Sequence, residues 1–271
     1  MDGYKGKVAL VTGASGGLGR SFCLALAKSG ATIVAFDQDA AALDRLENDL
    51  QDSGSAHIVF AGDITDVEDT SELARRVAAN FGRVNLLIHN AGVTHISRFA
   101  DSGPEVTAKV MAINFMGAIT LTYELLPMIK KSQGTIVVMS SVAGFSPLYA
   151  RTAYAASKHA LHGFFESLRS ELVDDGVHIM MVCPSFIATQ AKTRSAGDVS
   201  SDGLSRPGSA KEQPGNPMTA DYVADKVLRA AYKKKTLLVI GRIAKLSWII
   251  SHLFPAFYEK KMLKNTKGEL E

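Results

Sequence analysis

The chain has 271 residues, with 30 Lys and Arg against 27 Asp and Glu and a formal charge of +3. With 46% hydrophobic and 21% charged residues it has an ordinary globular composition, and it is long enough to bury a core without staples. That charge balance excludes a nucleic-acid binder working by bulk electrostatics. Cys23 and Cys183 each sit in an apolar run, which excludes a disulfide framework.

Short β-branched runs alternate with helical patterns. Lys7–Val11 reads as a strand, Leu18–Lys28 as a helix, Ala31–Phe36 as a strand and Ala40–Leu50 as a helix. Ala56–Ala61 is a strand, Val67–Asn80 a helix, Val84–His89 a strand, and Glu105–Lys131 one long helical pattern. Strands at Thr135–Met139, Val177–Val182 and Thr236–Ile240 alternate with helices at Thr152–Val173 and Asp221–Tyr232. Such βα alternation, with continuously apolar strands, predicts a doubly wound parallel sheet covered by helices on both faces, a Rossmann fold of three layers. One domain is expected over 1–241. Within it, Gln190–Met218 is a Ser-, Gly- and Pro-rich loop expected to be mobile and to close over the site.

The first strand runs into Thr12-Gly13-Ala14-Ser15-Gly16-Gly17-Leu18-Gly19. Glycines between the first strand and first helix of a βαβ unit let backbone approach a pyrophosphate, and the helix turns its free N–H groups toward the anion. Asp37 ends the second strand. A carboxylate there accepts from ribose hydroxyls and repels an added phosphate, which favours NAD over NADP; the plainer reading is a cap on the following turn.

Tyr154 and Lys158 are four residues apart on a helix and share a face. An ammonium beside a phenol favours the phenolate, so the tyrosine could take a proton from an alcohol or return one to a carbonyl. The pair alone reads as a surface pair. Its context is Ser140 and Ser141 after one strand and Asn90-Ala91-Gly92 after another, at the sheet edge where ligands bind. Asn114 is an odd choice for a helix interior. His159 and His162 share a helix with Tyr154 and read as structural, and no His/Asp/Glu cluster has metal-ligand spacing.

Taken together, Thr12–Gly19, Asp63, Asn90-Ala91-Gly92, Asn114, Ser141, Tyr154 and Lys158 resemble a short-chain dehydrogenase/reductase of the single-domain type, from about Lys7 to Ile240. The resemblance implies a hydride transfer between a nicotinamide cofactor, NAD in preference to NADP, and an alcohol or carbonyl carbon. It implies Tyr154 as general acid/base, Lys158 lowering its pKa and holding the ribose, Ser141 orienting the substrate oxygen, and Asn114 holding a water. Gly13, Ser15, Gly17, Leu18 and Gly19 would cradle the pyrophosphate. Asp63 and Ile64 would meet the adenine, Asn90, Ala91 and Gly92 would support the site, and Pro184, Ile187 and Thr189 would lie by the nicotinamide. A homodimer or homotetramer is implied. The rival is a catalytically silent nucleotide-binding regulator on the same fold. His89 stands where the family has a first Asn, and Pro184-Ser185 where it has Pro-Gly.

Residues 242–271 form an extension. Ile243, Leu246, Ile250, Leu253 and Phe257 recur at helical intervals, widened by Trp248, Ile249 and Phe254, with Pro255 expected to end or kink the helix. The apolar face over 242–263 is expected to be covered by protein, its own or a partner's. Alternatively it walls the substrate or lies against a membrane, and these two favour a lipophilic steroid, retinoid or acyl substrate. The lysine clusters 233–235 and 260–267 read as solvated helix ends or as an attraction to anionic lipid. Met1–Val11 lacks a signal-peptide layout and no apolar stretch is expected to be long enough to span, so the expected setting is cytoplasmic.

Overall fold

The computed structural model describes residues 2–188 and 218–266. Seven parallel strands form the central sheet in the order β3-β2-β1-β4-β5-β6-β9. They are β1 (Val8–Thr12), β2 (Thr32–Asp37), β3 (His57–Ala61), β4 (Leu86–His89), β5 (Thr135–Met139), β6 (His178–Pro184) and β9 (Leu237–Ile240). The helices α1 (Gly17–Lys28), α2 (Ala40–Asp52), α3 (Val67–Asn80), α4 (Pro104–Met111), α5 (Gly117–Lys131), α6 (Thr152–Glu171) and α7 (Ala220–Tyr232) connect them. A pair of two-residue strands, β7 (Ile187–Ala188) and β8 (Met218–Thr219), forms a separate parallel ladder.

The uninterrupted apolar strands resolve into two faces. Ala9, Val11, Ile33, Ala35, Ile88, Val137 and Val182 pack with α1, α2 and α7 on one side. Val8, Leu10, Val34, Leu87, Ile136, Val138 and Met181 pack with α3, α5 and α6 on the other. Alternate residues of a strand point to opposite faces, so a strand covered on both sides must be apolar throughout. The doubly wound parallel sheet expected from the sequence is the fold observed.

Local chemistry sets the helix starts. Asp39 accepts from the Ala42 N–H, Asp66 from the Glu68 N–H and Thr219 from the Tyr222 N–H, each satisfying an orphan donor. The N-cap of α1 is Gly16, which offers no side-chain acceptor.

Two expectations change, and the expected break at Pro255 is met. The pattern over 105–131 is two α-helices joined by a π-helical turn, Ala112–Met116, with Asn114 inside it. This run, 104–131, also contains an 18-residue window of mean hydropathy 1.3, long and apolar enough to cross a membrane, contrary to the expectation that none would be. Here Leu121, Leu125 and Ile129 bury its apolar side against the sheet. The extension is two helices, α8 (Arg242–Leu253) and α9 (Pro255–Thr266), broken at Pro255 as its fixed φ requires. Of the expected loop 190–218 only Met218 is described; the rest, and Thr189, lie outside the described residues, as does the lid role assigned to them.

Candidate active site

The winding of the chain reverses between β1 and β4, and the carboxyl ends of these strands open the crevice where α/β sheets hold ligands. Thr12 stitches the crevice floor: its Oγ1 accepts from the Asn90 and Ala91 N–H groups, each at 3.0 Å. Asn90 Nδ2 donates back to the carbonyls of Thr12 and Gly13. Gly13 has φ +62°, and a Cβ there would lie 2.9 Å from Ala91 Cα. A Cβ on Gly19 would collide with the Gly13 carbonyl. Only glycine allows this approach, and it leaves the first turn of α1, with Gly17, Leu18 and Gly19, open to an anion.

Asp37 is already engaged. Its Oδ2 accepts from the Ser15 N–H at 2.9 Å and from Ser15 Oγ at 2.7 Å. The carboxylate therefore shapes the glycine turn as well as facing the crevice. Asp63 is exposed at the end of β3 and accepts from both the N–H and the hydroxyl of Thr65 through one oxygen. Neighbouring Ile64 packs where a Cβ on Gly117 would fall.

Across the sheet, Ser141 follows β5 and opens a 3-10 turn, accepting from the Ala143 N–H at 3.2 Å. It lies near the hydroxyl of Tyr154, on the first turn of α6, and acts to lower the pKa of that phenol. Lys158, one turn on, is buried and donates to the Met139 carbonyl at 2.8 Å. Its ammonium lies 5.6 Å from the centre of the Tyr154 ring. Asn114 Oδ1 accepts from the Val93 N–H, and its Nδ2 donates to the Val93 carbonyl and to Ser157 Oγ. Ser157 Oγ donates on to the Tyr154 carbonyl, so the π-turn is tied to the helix carrying the phenol.

The electrostatics differ from the sequence reading. Burial raises the Tyr154 pKa, against the nearby Ser141 side chain and Arg151 charge, which lower it. The Lys158 ammonium donates to the Met139 carbonyl and sits 5.6 Å from the centre of the Tyr154 ring. Burial in turn depresses Lys158 itself to about 8. Asn114 has both amide protons committed to protein acceptors.

Pro184 ends β6 beside Ile240, and Ile187 lies in β7. Where Ser185 replaces glycine, the freedom is moved to the facing strand end: Gly241 has φ +101°, and a Cβ there would strike Ser185 Oγ. Sequence reading placed Thr12 in the motif without a role, and missed Ser157 and the Met139 carbonyl. Ser157 had a signal, lying three residues after Tyr154 on the same helix.

Residues 7–199 match the short chain dehydrogenase family. The chain is 33% identical over 268 residues to mouse "Dehydrogenase/reductase SDR family member 7B", covering 97% of this chain and 82% of that protein. It is 38% identical over 195 residues to "11-beta-hydroxysteroid dehydrogenase-like 2" of Arabidopsis thaliana, covering 71% of this chain and 63% of that protein. A crystal structure of a short chain dehydrogenase/reductase from Burkholderia phymatum in complex with NAD superposes with a TM-score of 0.81 at 26% identity, over 95% of this chain and 96% of that one. The chain belongs to the short-chain dehydrogenase/reductase family, whose members are oxidoreductases that work with a nicotinamide cofactor and a small-molecule substrate.

Proposed function

We propose that this chain interconverts a secondary alcohol and its ketone at the Ser141–Tyr154 pair, with NAD(H) as its cofactor. The bound nicotinamide supplies the acceptor or donor of the hydride. The glycine turn fits the pyrophosphate of such a group, since a Cβ on Gly19 would fill the cradle and no side chain caps α1. Gly13, Ser15, Gly17, Leu18 and Gly19 would hold it at that end, Asp37 its ribose, Asp63 and Ile64 its adenine. Asn90, Ala91, Gly92, Lys158, Pro184 and Ile187 would flank its other half.

The observation that carries the reading is that the Ser141 turn and the Tyr154–Lys158 face of α6 meet at the carboxyl end of the sheet, where burial keeps the proton on the Tyr154 hydroxyl. A neutral phenol beside a fixed hydroxyl is a proton donor aimed where a carbonyl oxygen would sit. In the reverse direction the same phenolate oxygen takes the alcohol proton. Lys158 holds a cation beneath the site, and Asn114 with Ser157 fixes the angle of α6.

The Asp37 carboxylate supports NAD over NADP. The apolar faces of α8 and α9, close to the turn after Ser141, support an apolar substrate body, as does the printed name of the Arabidopsis relative. The test is turnover of the intact protein, with NAD and NADP, on a panel of steroid, retinoid and aliphatic alcohols, beside Tyr154→Phe. Turnover by the native protein that falls at least about a hundredfold in the variant, with NADH binding retained, is expected. Nucleotide binding without turnover on any member would favour the silent regulator.

A further inference from the structure

The two terminal helices present their residues in an unexpected order. In α8 the fully buried residue is Ala244, and Ser247, Ile250 and Ser251 are half-buried, so mostly small residues face the domain, with Ile250 the one large aliphatic among them. The large side chains face out: Ile243, Leu246, Ile249, Leu253, Phe254 and Phe257 are each between 48% and 66% exposed. The helices are held to the body by a few contacts beside the active site. Ser146 Oγ hydrogen-bonds the Tyr258 hydroxyl, the Tyr149 N–H meets Met262 Sδ, and Phe145 packs near His252. These anchors all lie within eight residues of Ser141. The expectation that protein of the same fold covers this apolar face is therefore not met among the described residues.

Residues 189–217 offer little to cover it, having only Val199 and Leu204 as large aliphatic side chains. A second copy docked face to face across a two-fold axis would meet the same patch with the same charge. That charge is lopsided: Arg242, Lys245, Lys260, Lys261 and Lys264 stand against Glu259 alone. All five cations are exposed, and none makes an ion pair among the described residues.

We propose that α8 and α9 dock on an anionic lipid bilayer, apolar side chains in the interface and the basic groups at the headgroups. An exposed apolar patch rimmed by cations complements such a surface in both chemistry and charge. Docked this way, the chain sets the turn after Ser141 against the membrane, and an apolar substrate could enter from the bilayer.

The chain supplies its own reporter. Trp248 is its single tryptophan and lies in α8 at 39% exposure. The full-length protein is mixed with phosphatidylcholine vesicles, or with vesicles containing about 30% phosphatidylserine, and followed by flotation and tryptophan emission. Flotation with the anionic vesicles, a blue shift of Trp248, and about a tenfold loss of binding between 0.1 and 0.5 M NaCl are expected. Two variants separate the contributions: Leu246→Ser/Leu253→Ser/Phe257→Ser removes the apolar part, and Lys260→Glu/Lys261→Glu reverses exposed charge without touching packing. Each should lower flotation at least about tenfold with the thermal melt retained. No flotation of the intact protein on anionic vesicles overturns the proposal, as does unchanged flotation of the charge-reversed protein. Absence of flotation together with an oligomer that dissociates in the serine variant assigns the face to a second copy instead. None of these readouts uses turnover, so they stand apart from the reading of the active site.

Discussion

Lys158 Nζ donates to the main-chain carbonyl of Met139 across 2.8 Å, and Met139 is the last residue of β5, two before Ser141. The cation thus braces the strand end that presents the serine. Such a buried cation is costly where the cofactor is absent, because burial lowers its pKa from 10.5 to about 8.

That cost leads to a stability prediction. The folded pKa lies below the unfolded one, so below pH 8 both states hold the proton and the full penalty applies, an upper bound of ~3 kcal/mol. Stability rises as pH climbs from about 8 to 10.5, where the folded state sheds its proton first. Lys158→Met should therefore be more stable than the native chain at pH 7, by about 1–2 kcal/mol after the lost hydrogen bond is deducted, and inactive. Urea unfolding at pH 7 and pH 9.5 checks it: the gap should shrink at the higher pH. A variant less stable at both would show that the Met139 bond outweighs desolvation.

Asp37 is expected to set cofactor preference. NAD(H) should bind at least about tenfold more tightly than NADP(H), since a carboxylate near the ribose repels a further phosphate. Asp37→Ala should narrow or reverse the ratio, and it should also weaken both cofactors, because Ser15 loses its acceptor for two hydrogen bonds. Fluorescence titration of both reduced cofactors decides. A native preference for NADP(H) would mean that Asp37 serves the glycine turn alone.

Much of this site was legible because its parts obey local rules. Glycines 13, 17 and 19, Asp37 at a strand end, and Tyr154 with Lys158 are fixed by spacing, and the doubly wound parallel sheet follows from βα alternation. What was not legible depends on contacts between distant segments. The π-turn at Asn114 hides inside a smooth apolar periodicity and is visible only once Val93 and Ser157 surround the amide. The direction of the Lys158 ammonium depends on the Met139 carbonyl, which no side-chain pattern reveals. In the extension, periodicity located a helix and Pro255 its break, but periodicity does not say which face turns inward. The observed answer puts Ala244 in and Leu246 out.

Gly144 tests how tightly the Ser141 turn is held. A Cβ at this position would collide with Ser140 Oγ and lie 2.9 Å from the His162 ring. His162 is itself fixed between Glu166 at 2.9 Å and the Cys183 thiol at 3.5 Å, so it has little room to yield. Gly144→Ala should cost about 1–3 kcal/mol by overpacking and lower kcat more than it raises the KM of the cofactor, because a shift of Ser140 carries the adjacent Ser141 with it. Thermal melts and steady-state kinetics measure both, and an unchanged kcat would show that the turn relaxes without moving the serine.

The last prediction concerns acid. His89 is 4% exposed, and its Nε2 lies 2.7 Å from Thr122 Oγ1. That hydroxyl donates its own proton to the Ala118 carbonyl, so His89 must donate from Nε2 and keep Nδ1 bare. Among the described residues Nδ1 has no partner. Burial holds the imidazole neutral, with its pKa pushed down to about 3 from 6.5. Between these values the unfolded chain binds a proton that the folded chain refuses, so stability falls as pH drops below 6.5. The expected loss is about 2 kcal/mol between pH 6.5 and pH 5. His89→Asn places a group of similar reach and no charge at the end of β4. It should give up packing against Phe165, whose ring centre is 5.5 Å away, which is a cost independent of pH. Urea unfolding of both proteins at pH 7, 6 and 5 separates the two effects: an offset at pH 7 reads the lost packing, and a flatter slope toward pH 5 reads the removed histidine. Parallel slopes for the native protein and the variant would mean that the acid sensitivity of this fold lies in groups other than His89.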